Sequence, residues 1–246
     1  MTIIDSHVYL GRGRHMNLDV SSLLRFMDEA GISHAVACPV DRCIAVHNRE
    51  GNDYILDAVK MHPDRISGMA SANPWFEGGA VEELTRALSE GLSGLFFNSN
   101  YQGFRLSDHV VDPLLEVAAE YDVPVYVHTG TAAIAEPFHA VELARRFPSV
   151  NFIMGHAGSS DYGEDAVRAL EFVDNIWLET SRNGPANFGL WNVKGCARRV
   201  VFGSSAPEYI PEIEIETLGD VFVDSGDRES ILSGAIQEVF KGRLPL

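Results

Sequence analysis

Basic residues are scarce: 19 Lys and Arg stand against 35 Asp and Glu, a formal charge of −16 over 246 residues. No run of Lys or Arg breaks that acidic background, so nothing supplies the phosphate neutralisation that nucleic-acid binding requires. Cysteine is equally sparse. Cys38, Cys43 and Cys196 form neither a CxxC pair nor a zinc-finger spacing, and an odd, scattered set reads as reduced thiols of a cytoplasmic protein. No window approaches the roughly 18 apolar residues of a membrane span, and the opening MTIIDSHVYLGRGR lacks a basic region followed by a long apolar stretch, so no membrane partner is expected. There is also no Pro/Gly/Ser-rich linker, low-complexity segment or long repeat. The expectation is a single domain over residues 1–246 with a sizeable core, 46% of its residues being hydrophobic.

What is present is alternation. Short apolar runs at 3–5, 34–39, 66–71, 93–97, 123–127, 151–154, 175–179 and 199–202 read as strands. Between them, helical spacing predicts helices over 18–30, 52–61, 80–90, 110–121, 138–147, 164–172, 190–196 and 228–240. Eight strands alternating with helices at this length predict an α/β fold of the (β/α)8 TIM-barrel class. A doubly wound sheet is the rival, but no GxGxxG follows the first strand and polar residues follow nearly every strand. The segment 212–216, alternating charge and hydrophobe, reads as an exposed loop or short edge.

In a barrel the strand C-termini converge on one mouth. There the chain places Asp5, His7, Asp41, Asn73, Asn98, His128, His156, Glu179, Ser181, Ser204 and Ser205. Three histidines at one mouth suit a zinc-like ion, which takes about three protein ligands and leaves a position for water. The metal-free alternative uses one histidine as general base and another as donor to a developing oxyanion; spacing leaves both open. Trp75, Phe76, Tyr101 and Phe104 could present aromatic surface to a ring, or simply pack within long loops. Arg12 and Arg14, just past the first strand, could clamp a carboxylate or lie solvated.

At Ile4-Asp5-Ser6-His7-Val8-Tyr9, Val125-Tyr126-Val127-His128-Thr129, Ile153-Met154-Gly155-His156-Ala157-Gly158 and Val201-Phe202-Gly203-Ser204-Ser205-Ala206-Pro207 the chain resembles the amidohydrolase superfamily. The branch is that of metal-dependent hydrolases and decarboxylases related to aminocarboxymuconate-semialdehyde decarboxylase and pyrone-dicarboxylate lactonase. The resemblance implies a distorted (β/α)8 barrel and usually one divalent ion. It also implies departures. Tyr9 replaces the second histidine of Asp-x-His-x-His, Ser205 replaces the eighth-strand aspartate, Phe96 stands where many relatives carry lysine, and Ala235 where they carry asparagine. His7 and His128 remain as metal ligands, and His156 as the group that positions or deprotonates water.

Two readings follow. The first is an amidohydrolase-type enzyme with a remodelled, metal-poor or metal-free site, acting on a small carbonyl or carboxylate compound, with hydrolysis ranked ahead of decarboxylation. Its catalytic set is His156, His128, Asp5 and Glu179, and Tyr9, Asn98, Ser205, Trp75 and Arg12 bind substrate. One divalent ion, zinc by preference, would sit on His7 and His128 with an incomplete ligand set. The second reading is a barrel that has lost catalysis and binds a ligand or a partner. Relatives are often dimers, so a homodimer is an expectation of the resemblance.

Overall fold

The computed structural model describes residues 2–159 and 161–245. Parallel strands joined by helices are covered on both faces and so need apolar residues at nearly every position, and the runs read as strands meet that demand. They form β1 (Ile4–Arg12), β2 (His34–Pro39), β3 (Ile66–Gly68), β4 (Leu95–Phe97), β5 (Val125–His128), β6 (Phe152–Gly155), β7 (Ile176–Glu179) and β8 (Val200–Val201). Neighbours pair in parallel in two arcs, β1-β2-β3 and β4 through β8. Parallel bridges Ala70 to Leu95 and Val8 to Ala206 join the arcs into a closed cylinder. The second junction is a seam: Ser6 N donates to Phe202 O at 2.9 Å, Tyr9 N to Ala206 O at 2.8 Å and Ser205 N to His7 O at 2.9 Å. The (β/α)8 barrel expected from the alternation is the fold observed.

Side chains alternate across each strand. Val36, Cys38, Phe96, Tyr126, Ile153, Trp177 and Val201 fill the cylinder, whereas Ala35, Ala37, Leu95, Phe97, Val125, Val127 and Leu178 pack outward under the helices. Local signals set the helices. In Val20–Ala30, Asp19 accepts from Ser22 N at 2.8 Å, Gly31 closes the helix at φ 70°, and Leu23 and Met27, one turn apart, are buried. Such an N-cap contributes about 1 kcal/mol. Ile236, Val239, Phe240 and Leu244 join the interior cluster, and Asn151, just before β6, donates to Val239 O at 3.0 Å. The C-terminal helical segment therefore stoppers the end of the cylinder opposite the strand C-termini.

Three expectations are corrected. β1 does not stop at Asp5 but runs to Arg12 with a register shift between Asp5 and Val8; polar side chains inside the barrel interrupt its apolar run. Residues 212–216 are neither loop nor edge: they lie in the helix Pro211–Val221, started by Pro211 and buried along Glu214 and Leu218. The last helix is broken into Ser225–Glu229, a π-helical stretch Ser230–Gly234 and Ala235–Val239. Among the described residues no helix is long and apolar enough to cross a membrane, and all three cysteines are buried free thiols.

Candidate functional site

Interior alternation carries the site. His7 and Tyr9 on β1, Phe96 on β4 followed by Asn98, Tyr126 and His128 on β5, and Glu179 on β7 followed by Ser181 are all buried. Each pair lies two residues apart and so shares a strand face. His156 follows β6 at φ 61°, a left-handed conformation uncommon outside glycine. It is held there by its own N–H, which donates to Glu179 Oε2 at 2.8 Å.

Glu179 is the hub. Its carboxylate also accepts from Ser181 N at 2.9 Å, Ser181 Oγ at 2.9 Å and Tyr126 Oη at 3.1 Å. Tyr126 Oη lies 3.0 Å from His7 Nδ1, and Ser181 Oγ lies 2.6 Å from His156 Nδ1. The His128 ring meets His156 edge-on with centroids 4.5 Å apart. Asp5 sits at the seam, accepting from Ser204 N at 2.9 Å, Ser204 Oγ at 2.5 Å and His7 N at 3.1 Å.

Burial dominates the electrostatics. It pushes Glu179 up to about 7 and Asp5 up to about 6, against the hydrogen bonds that favour their ionised forms. It drives His7 and His156 well below the usual imidazole range, with neighbouring histidines adding to the effect. His128 falls to about 3, by burial first and the Arg182 charge second. The three imidazoles are therefore neutral at neutral pH.

A cavity of about 220 Å³ opens at the mouth, lined among others by Tyr9, Asn98, His128, Thr129, Arg182 and Glu208. Arg182 Nη2 pairs with Glu208 Oε2 at 2.9 Å, and Ser205 Oγ donates to the same oxygen at 3.2 Å. Arg182 Nε and His128 Nδ1 are buried without a hydrogen-bond partner. The mouth thus brings a cation with a spare donor and an imidazole with a spare nitrogen into the lining of one small polar chamber.

The structure brings together His7, His128, His156, Glu179 and Tyr9, places Asn98 on the cavity wall, and sets Asp5 and Ser205 at the seam below. Trp75 is 56% exposed, its indole N–H donating to Gly103 O at 3.1 Å, and it does not line the cavity. Arg12 lies elsewhere, beside a separate cleft with Tyr54 and Glu50. Arg182 and Tyr126 were not singled out by sequence. The spacing that could have found them was available: Tyr126 lies two residues before His128, and Arg182 three after Glu179.

The family resemblance implies a divalent ion, and the residues present do not fit one. Among the described residues no three of His, Cys, Asp and Glu come together in a metal-holding geometry. Burial holds the Tyr9 phenol in its protonated form, and Ser205 offers a neutral hydroxyl, a weak ligand for divalent ions, so of the implied ligand positions only the imidazoles of His7 and His128 keep a free nitrogen.

A family model described as amidohydrolase matches residues 23–241. A 2-amino-3-carboxymuconate-6-semialdehyde decarboxylase from Dictyostelium discoideum is 31% identical over 78 residues, a stretch covering 31% of this chain and 22% of that protein. The fold is shared with 2,6-dihydroxybenzoate decarboxylase from Rhizobium, at 17% identity, TM-score 0.78 and coverage of 98% of each chain. It is shared also with 5-carboxyvanillate decarboxylase from Novosphingobium aromaticivorans, solved with manganese and 4-hydroxy-3-methoxy-5-nitrobenzoic acid, at 17% identity and TM-score 0.78, covering 98% of this chain and 96% of that one.

Proposed function

The chain belongs to the amidohydrolase family, and from that premise we propose that it is a single-domain decarboxylase of a small aromatic or unsaturated carboxylic acid, worked by its own side chains. One observation carries the reading: the unmet donor Arg182 Nε and the unmet His128 Nδ1 belong to residues lining the same cavity. A carboxylate entering it satisfies both. The names of the relatives reverse the order of reactions expected from sequence, favouring decarboxylation over hydrolysis.

Arg182 binds the carboxylate through Nε while Glu208 holds its far edge. In the empty site, burial and Arg182 keep His128 neutral. The arriving negative charge reverses that bias and draws a proton onto the ring. As the bond to the carboxyl carbon breaks, its electron pair stays on the substrate carbon and CO2 departs. The His128 proton ends on that carbon, so an anion and a proton become a neutral product and CO2. Tyr9, Asn98 and Thr129 orient the remaining polar groups of the substrate.

The test is a panel of aromatic and unsaturated acids labelled with 13C at the carboxyl, assayed for released CO2 with wild type, His128→Ala and Arg182→Ala. Release by wild type that both variants lose supports the proposal. No release from any acid that binds would overturn it in favour of the second reading, a ligand-binding barrel without turnover. That reading has its own observation: Phe96 fills the interior against His7, rings stacked at 5.5 Å, at the position where the family resemblance implies a lysine.

A further inference from the structure

We infer that Glu179 is a positioning residue that sets the tautomers of His7 and His156 together, through two hydroxyl bridges, so that both rings present an unprotonated Nε2. A tyrosine or serine hydroxyl carries one proton, and an ionised carboxylate is an acceptor only. Four donors converge on Glu179: the N–H groups of His156 and Ser181 and the hydroxyls of Ser181 and Tyr126.

A carboxylate outcompetes a neutral imidazole as acceptor because charge-assisted hydrogen bonds are the stronger ones. Tyr126 therefore gives its proton to Glu179 and, through its oxygen, accepts from His7 Nδ1–H across 3.0 Å. Ser181 gives its proton to the same carboxylate and accepts from His156 Nδ1–H across 2.6 Å. A neutral imidazole holds one proton, so each Nε2 is left with a lone pair. Those two atoms are buried and without a hydrogen-bond partner, as this assignment requires of acceptors kept free. One carboxylate, through one side chain on β5 and one just past β7, thereby fixes both rings as proton acceptors.

The assignment stands apart from the reaction proposed above, because its readout is a nitrogen spectrum rather than turnover. The experiment is 15N–1H correlation of the imidazole rings in the full-length protein at about pH 8.5, on the ionised side of the raised carboxyl. Wild type shows both rings as Nδ1–H tautomers. In Glu179→Met the acceptor is gone, each hydroxyl turns its proton towards the adjacent Nδ1, and both rings switch to Nε2–H. Tyr126→Phe, which removes a single oxygen, serves if the first variant does not fold: His7 switches and His156 does not. Either ring found as Nε2–H in wild type overturns the inference. So does an unchanged His7 in Tyr126→Phe, or unchanged rings in a folded Glu179→Met.

Discussion

Phe96 stacks on Tyr126 with ring centroids 5.0 Å apart and planes 20° apart. The stack wedges Tyr126 between the barrel filling and the Glu179 carboxylate, so packing and hydrogen bonding position the same ring. Phe96→Ala should therefore cost about 3–5 kcal/mol, as other buried Phe truncations do, measured by denaturant unfolding. Phe96→Lys should cost at least as much, because it buries an ammonium with no carboxylate in contact. A loss under about 1 kcal/mol in the alanine variant would show that the ring is not packed as described.

Gly155 lies under the same tyrosine. A methyl group added there would sit 2.2 Å from Tyr126 Cζ and 2.3 Å from its oxygen. Gly155→Ala is expected to destabilise by about 1–3 kcal/mol through overpacking. It should also displace the phenol from His7, visible as a shift of the His7 ring signals. Gly78→Ala, with open space around the added methyl, is the control and should leave those signals unchanged.

Metal binding is expected to separate the chain from the manganese-containing 5-carboxyvanillate decarboxylase that shares its fold. Elemental mass spectrometry after incubation with excess zinc or manganese should find no stoichiometric ion in wild type. Tyr9→His combined with Ser205→Asp restores the two missing ligand types and should bind about one equivalent through an assembled set of imidazoles and carboxylate. Stoichiometric metal in wild type that disappears in His128→Ala would show that the donors present do hold an ion.

Stability should fall with rising pH through the range Glu179 governs. Its carboxyl moves from 4.5 to about 7 on folding, so the folded state holds a proton that the unfolded chain releases. That contribution is present below about 4.5 and is lost as pH rises to about 7, amounting to about 3 kcal/mol. His128, lowered from 6.5 to about 3, acts with the opposite sign. Comparing wild type with Glu179→Gln cancels it, and from pH 5 to 7 the wild-type melting temperature should fall more, or rise less, than that of the variant. Parallel curves would remove Glu179 as the titrating group.

The barrel was legible because each strand is a short apolar run and each helix repeats its buried positions every turn. The mouth histidines were legible because polar residues sit where apolar runs end. What escaped lay inside the runs. Tyr126 reads as one more aromatic in a buried strand, and only the two-residue spacing to His128 places both on the inner face. The short apolar run at 3–5 stops before His7, yet a barrel interior accommodates an imidazole held by a hydrogen bond, here from His7 Nδ1 to the Tyr126 hydroxyl. The helix Pro211–Val221 was hidden by a period-two pattern whose buried member is Glu214, a carboxyl bonded to Thr180. Burial of an acid is the reverse of what that pattern implies. Arg182, in the loop after β7, carries no pattern of its own, and only the fold brings it to Glu208.

The seam between β1 and β8 has a consequence for how the chain reaches this state. Asp5 and Ser204 are 199 positions apart in sequence, and the hydrogen bonds that close the cylinder join the first strand made to the last. Loop-closure entropy grows as roughly (3/2)RT ln n, and contacts of such long range are late and slow to form. Until β8 arrives, the stretch of β1 from Asp5 to Tyr9 is an unpaired edge, open to pairing with another chain, while its end at Gly11 and Arg12 is already paired with Leu18 and Asn17. A nascent or truncated chain ending before residue 200 thus leaves that edge exposed, and the mouth of the barrel is completed only when β8 pairs.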